Sequence, residues 1–186
     1  MENIKQQLSD VVHHWTIVLM VTLFLFPVQP AIALPAPTLV KTEAYLKQAT
    51  LQRLSTAKYT TKQQLTDKDL IVLLKSVGFN GQSLKNAWSI AKRESHGRPL
   101  AYNGNRKTGD SSYGLFQINM IGSLGIDRLE KFKEKFDMKT KTELFNPVLN
   151  AEITYYMTNG GKDWSSWKGI NLKAREWLKQ FPNKLS

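Results

Sequence analysis

Glu94 stands where acid chemistry needs a carboxyl. In the segment 84–95, Ala87, Ile90, Ala91 and Glu94 fall at i, i+3, i+4 and i+7. On a helix that spacing puts the carboxylate on the apolar face and leaves Lys85 and Lys92 elsewhere. Desolvation at the base of an apolar stripe disfavours the charged form, so this carboxyl is expected to keep its proton. The helix C-terminus pushes the same way, because its partial negative charge repels an anion. A carboxyl so held can protonate a glycosidic oxygen at the mouth of a cleft. The alternative is an ion pair with Arg93 or Arg98 at the helix end, since charged side chains at domain surfaces are usually solvated.

A second motif follows a polar, glycine-rich loop. Tyr113-Gly114-Leu115-Phe116-Gln117-Ile118-Asn119 mixes aromatic, apolar and amide side chains around a glycine. Amides and hydroxyls read sugar hydroxyls and N-acetyl groups by paired hydrogen bonds. Aromatic faces stack on the apolar side of a pyranose. Tyr113, Gln117 and Asn119 are therefore candidate substrate-binding residues, whereas Leu115 and Ile118 read as core. The competing reading is a buried strand whose amides are satisfied by backbone.

With these motifs, residues 67–170 resemble the lysozyme-like superfamily, especially the soluble lytic transglycosylases and phage-type wall lysozymes. Glu94-Ser95 looks like the family's Glu-Ser at a helix end, and Tyr113 to Gln117 like its Gly-Leu-x-Gln cleft segment. Asn146-Pro147 with Asn150-Ala151 resembles the helix that follows. The resemblance implies an α+β, mainly α, lysozyme-like fold with a small β-prone insert forming one wall of a substrate cleft. It further implies cleavage of peptidoglycan after N-acetylmuramic acid, with one Glu as acid and then base, and it adds Ser95 to the binding residues.

The chain departs from the pattern in informative places. Animal-type lysozymes carry an aspartate directly before the Tyr-Gly segment, and here Ser112 stands there. Asp110 lies two residues earlier. On a strand a shift of two keeps the same face, so Asp110 is a candidate second carboxylate. The Ala-Tyr-Asn segment that closes many transglycosylases is missing from its usual place, and Ala101-Tyr102-Asn103 lies too early for it. Trp164 and Trp167, in Gly160 to Trp167, are candidates for a stacking edge, with core packing as the alternative. Of Tyr155 and Tyr156, one is expected to face the cleft and the other the core. Ser112 favours an enzyme with one carboxylate and an anhydro product. Asp110 keeps a hydrolytic muramidase open, and a non-catalytic wall-binding module is the reading from a different class.

These residues need elements to hold them. Thr66 with Asp69 is a capping-box-like start for a helix carrying Leu70, Ile71, Leu73, Leu74 and Val77, ended by Gly78. Ser83 is expected to cap the next helix, which runs to about Ser95 and stops at Gly97. Residues 98–119 read as irregular with short strands. Asn146 caps a helix with Pro147 in its first turn, ending at Gly160-Gly161. Asn171 caps a last helix carrying Leu172, Trp177 and Leu178.

Around this domain, read as residues 67–186, lie two further segments. Residues 11–40 contain no Asp, Glu, Lys or Arg, and Trp15 to Phe26 is an almost unbroken apolar run. As a helix these residues span about 18 Å, short of the ~30 Å hydrocarbon core. Pro27 and Pro30 then break it, and Ala31-Ile32-Ala33 has the small-residue pattern of a cleavage site. Residues 1–33 thus read as a signal peptide for export, with a membrane anchor as the alternative. Residues 34–66 start Pro-rich and continue basic, with five Lys/Arg and one Glu. Leu46, Leu51 and Leu54 are too sparse for a core, so the stretch reads as a linker or a loosely helical tether. The whole chain carries 26 Lys+Arg against 15 Asp+Glu, net +11. That attracts an anionic wall, while no motif supports specific nucleic-acid binding. With no cysteine, disulfides and a cysteine nucleophile are excluded. His13, His14 and His96 are too scattered for a metal site, and no cofactor is implied. A monomer acting on glycan strands is expected.

Overall fold

The computed structural model describes residues 39–105 and 107–183, with side chains from Ala44 onward. The leader read at 1–33 and the Pro-rich start of the linker lie outside the described residues. Six α-helices, three two-residue strands and two 3-10 turns follow in chain order. The helices are α1 (Leu39–Thr56), α2 (Asp67–Val77), α3 (Gly81–Ser95), α4 (Gly122–Phe136), α5 (Pro147–Met157) and α6 (Leu172–Leu178). Strands β1 (Tyr102–Asn103), β2 (Ser112–Tyr113) and β3 (Ile118–Asn119) form one antiparallel sheet in the order β1-β2-β3. The 3-10 turns are Lys141–Phe145 and Ser165–Trp167. The fold is α+β and mainly α, with the sheet inserted between α3 and α4. No described helix is long and apolar enough to cross a membrane.

Local hydrogen bonds start and stop the helices. Thr66 accepts from the Asp69 N–H at 3.1 Å, satisfying one of the orphan donors of α2. Gly78 ends α2 in the left-handed region, at φ 118°. Asn146 Oδ1 takes the Val148 N–H at 3.0 Å at the head of α5, and Asn171 Oδ1 takes the Ala174 N–H at 3.1 Å at the head of α6. Two boundaries differ from expectation. Ser83 is not the cap of α3 but its third residue, and its Oγ accepts from the N–H of the true cap, Asn80, at 3.1 Å. The reciprocal geometry needs a polar side chain at both positions, so either residue alone looks like a cap. Helix α5 stops at Met157, before Gly160-Gly161, because Thr158 Oγ1 turns to accept the Gly161 N–H at 3.0 Å.

Helix α3 sits at the centre, packed on α2 and α6, while α2 also packs on α5. Leu70, Leu73 and Leu74 of α2, Ala87, Trp88, Ile90 and Ala91 of α3, and Ala151 and Ile153 of α5 are all buried, and Leu115, Phe116 and Ile118 of the insert join them. Each large apolar side chain so buried contributes about 1.5–3 kcal/mol relative to exposure. Lys92, on another side of α3, is buried as well. Its Nζ lies 2.8 Å from Asp67 and about equally far, 5.5 and 5.6 Å, from the Trp88 and Trp177 rings, which ties α3 to α2 and α6.

The stretch 34–66 corrects one expectation. Leu46 is 59% exposed, as sparse apolar residues should be, but Leu54 is 1% exposed and belongs to the core. Contacts with the chain that follows α1 hold it there. Tyr59 donates to the Leu54 carbonyl at 2.8 Å, Arg53 pairs with Asp69, and Asn146 reaches the Ser55 carbonyl at 3.5 Å. Leu65 is buried too.

Candidate active site

Glu94 occupies the last turn of α3. The apolar stripe beneath it is real: Ala87, Ile90 and Ala91 are fully buried. The stripe ends, however, at the edge of an open cleft of about 820 Å3, where the Glu94 side chain is 27% exposed. Glu94 is therefore not enclosed by apolar groups. Its Oε1 accepts two bonds from Arg93, from Nε at 2.9 Å and from a terminal nitrogen at 2.5 Å. The ion-pair alternative is the arrangement found, and its partner is Arg93. Arg98 instead donates through Nε to the Ser95 carbonyl at 2.9 Å. Arg93 is itself nearly buried and also donates to the carbonyls of Trp167 at 2.9 Å and Gly169 at 3.2 Å. Among the described residues, Glu94 Oε2 has no hydrogen-bond partner and is the oxygen left for a ligand.

The sheet supplies the opposite wall. Its register pairs Asn103 with Ser112 and Ser112 with Asn119, so these three side chains form one row across the strands. All three line the cleft. Ser112, where animal-type lysozymes carry aspartate, thus sits mid-row between two amides, and no carboxylate stands in the row. Asp110 also lines the cleft, by a route other than the expected one. It is not on a strand. The turn at 107–109 delivers it, with the Asp110 N–H on the Asn105 carbonyl at 3.0 Å and its carboxylate accepting from Thr108 at 2.6 Å.

One buried amide fixes this wall to the helices. Asn150 of α5 is fully buried, accepts from the Phe116 N–H at 3.0 Å, and donates to the carbonyls of Tyr113 at 3.0 Å and Leu144 at 2.9 Å. Gly114, at φ 76°, passes so close that a Cβ would strike the Leu144 carbonyl and the Asn150 amide. Gln117 is cleft-lining and held in the left-handed region at φ 49°. Its amide donates to Ala101 at 3.0 Å and Gly114 at 2.9 Å, bonds that hold a conformation uncommon outside glycine.

The remaining predicted binding residues divide differently. Ser95 is fully buried and does not line the cleft. Its Oγ donates to the Leu115 carbonyl at 2.8 Å, accepts from Gly97, and so pins the helix end to the insert. Tyr113 is buried and does not line the cleft, packed 4.9 Å from Tyr102 and 5.4 Å from Phe145. Trp164 is core, with its indole N–H on Gly161 at 3.0 Å and its ring against Phe79 and Phe116. Trp167 is buried too, its N–H spent on Phe116 at 2.7 Å, but it reaches the cleft edge. The two indoles do not form a stacking edge. Neither Tyr155 nor Tyr156 faces the cleft; both line a separate groove with Phe136 and Glu152.

Sequence reasoning missed Tyr102 and a set of cations. Tyr102 is 56% exposed on β1 and lines the cleft with Asn103, from the Ala-Tyr-Asn segment judged too early. Its tyrosine-asparagine pair beside a strand-prone stretch was the available signal. Arg98, Arg128, Lys168 and Lys173 also line the cleft. They come from four separate places in the chain, so no local pattern announces them.

A family model described as a lysozyme-like domain matches residues 72–169, which span α2 through the Ser165–Trp167 turn. Domains of that family generally cleave peptidoglycan. No curated protein and no solved structure matches the chain. The match covers more than half of the sequence and contains Glu94, the sheet and Asn150, and on it the chain belongs to the lysozyme-like domain family.

Proposed function

We propose that this chain is an exported, monomeric peptidoglycan-cleaving enzyme that breaks the β-1,4 bond between N-acetylmuramic acid and N-acetylglucosamine with Glu94 as its single catalytic carboxyl. Glu94 gives a proton to the bridging oxygen as the bond to C1 breaks. The C6 hydroxyl of the same muramic residue then attacks C1, and Glu94 takes its proton back. No water enters, and the product is a 1,6-anhydro end. Tyr102, Asn103, Ser112 and Asn119 hold the strand, and Arg93 orients the acid through Oε1. The observation that carries this reading is Ser112: the middle of the polar row facing Glu94's cleft holds a hydroxyl where a second acid would stand.

One observation favours a second reading. Asp110 lines the same cleft, so a hydrolytic muramidase could use it to position water. Paired variants separate the readings. Glu94→Gln should abolish release of fragments from purified wall while the far-ultraviolet spectrum and melting stay native. Undiminished lysis by that variant overturns both catalytic readings, whereas wild-type binding to wall without any release of fragments would leave a wall-binding module. Asp110→Asn should retain most activity, and a loss as deep as that of Glu94→Gln would favour hydrolysis.

A further inference from the structure

The cleft carries more cations than its own acids can use. Five basic side chains line it, Arg93, Arg98, Arg128, Lys168 and Lys173, against Glu94 and Asp110. Arg93 is consumed by Glu94. Among the described residues, none of the other four has a carboxylate within salt-bridge distance. Two of them are held in place. Arg98 is anchored through Nε on the Ser95 carbonyl, beside Glu94, which leaves both terminal nitrogens without an acceptor among the described residues. Arg128, on α4, is anchored through one terminal nitrogen on the Asn119 carbonyl at 2.5 Å, at the end of the polar row. It is half-buried, and that burial pulls its pKa below the ordinary arginine value. A guanidinium has five donors in a fixed plane. Holding one of them on a backbone carbonyl aims the rest, and an unpaired cation that is partly desolvated gains most from an incoming anion.

We infer that Arg98 and Arg128 form a carboxylate-reading subsite within the catalytic cleft, so that the enzyme selects glycan bearing free carboxylates over neutral glycan, with Lys168 and Lys173 adding to the attraction. The inference rests on the proposed peptidoglycan substrate and names which form of it binds. Two chemical sources offer such a group: the lactyl carboxylate of muramic acid on a strand without peptides, and the carboxylates of the stem peptide where peptides remain. A chitin-type oligomer has neither.

The test measures binding of the full chain carrying Glu94→Gln, so that ligand is not consumed. The probes are peptidoglycan strands stripped of accessory polymers, with and without stem peptides, each native and with its carboxyls amidated. Native strands should bind about tenfold or more tightly than their amidated forms at low salt, and the preference should shrink as salt rises. Arg98→Gln and Arg128→Gln should each cut the native-to-amidated ratio about tenfold. The strand type with the larger ratio identifies the carboxylate source. Equal affinity for native and amidated strands overturns the inference, and that arm needs no change at either arginine. A ratio unmoved by both substitutions overturns the assignment to this pair. Discrimination by a chain whose wild type cleaves nothing would remove the glycosidase reading and leave the subsite. Cleavage of native and amidated strands alike, without discrimination, would do the reverse.

Discussion

Two concave regions of this protein each expose a tyrosine and hold a carboxyl, and they differ in what surrounds them. The cleft beside Glu94 is polar and basic, walled by the row Asn103, Ser112 and Asn119 and by cations. The groove between α4 and α5 is lined by Val77, Phe136, Tyr155 and Tyr156, with one acid, Glu152, whose pKa is raised by burial. Each has an exposed tyrosine, Tyr102 in the cleft and Tyr156 in the groove. Aromatic content therefore does not distinguish the cleft from the groove. Tyr155 stacks edge-on against Phe79 at 4.9 Å and Tyr156 packs 5.8 Å from Phe136 under Lys135, so these rings serve the helix interface. What marks the cleft is a carboxyl, a row of short polar side chains and, in Arg98 and Arg128, two guanidinium groups with no carboxylate partner among the described residues.

The comparison can be broken most forcefully at the joint that makes the cleft. Asn150→Ala strands the Phe116 N–H and the carbonyls of Tyr113 and Leu144, all at buried positions. It should destabilise the fold by about 3–5 kcal/mol in chemical denaturation, since buried unsatisfied groups and a cavity add together. A loss below about 1 kcal/mol would mean the insert does not depend on this amide.

The paired tyrosines sharpen the contrast at intermediate scale. Tyr102→Ala should lower kcat/KM on purified wall about tenfold, or ~1.4 kcal/mol of transition-state binding. Tyr156→Ala should leave kcat/KM within about twofold and cost only stability. Equal losses from both would erase the distinction between cleft and groove.

The smallest effect is a pH dependence in the groove. The Glu152 carboxyl has its folded pKa raised by desolvation. The folded state therefore holds that proton more tightly than the unfolded chain does. Its contribution is fully present below the unfolded value and is lost as pH rises through the folded one. Glu152→Gln should thus raise the melting temperature at neutral pH and do so less at acid pH. Because the group is only half-buried, solvent screening keeps the gain near about 0.5 kcal/mol. Identical shifts at both pH values would contradict the assignment.

The sequence made the local parts of this structure readable. Thr66, Asn146 and Asn171 announce helix starts because a cap acts within three residues. Helical spacing places Glu94 on the apolar face of its helix, while Glu94-Ser95, Ser112 and Asp110 stand out only through the resemblance that runs on through Tyr113-Gly114. What stayed hidden depends on distant partners. Arg93 and Arg98 read as equal candidates to pair with Glu94, and the choice of Arg93 comes from the distant carbonyls of Trp167 and Gly169 that hold it. Leu54 looked stray until Tyr59 and Asn146 brought the end of α1 onto the domain. Strands two residues long left the facing of Tyr113 undetermined, because a shift of one residue turns a side chain from cleft to core. Helix α4 was not foreseen at all: its cap residue, Ile121, makes no side-chain cap bond and its first turn carries no acid, so no local signal marks its start.

The central claim is that one carboxyl cuts the strand without water. Digestion of purified wall in 18O-labelled water tests it directly, with the new ends weighed by mass spectrometry. The account predicts ends lighter by one water than a hydrolysed product and free of label. Ends that carry a full added water with the heavy isotope would contradict it and assign the chemistry to Glu94 together with a water-positioning group such as Asp110.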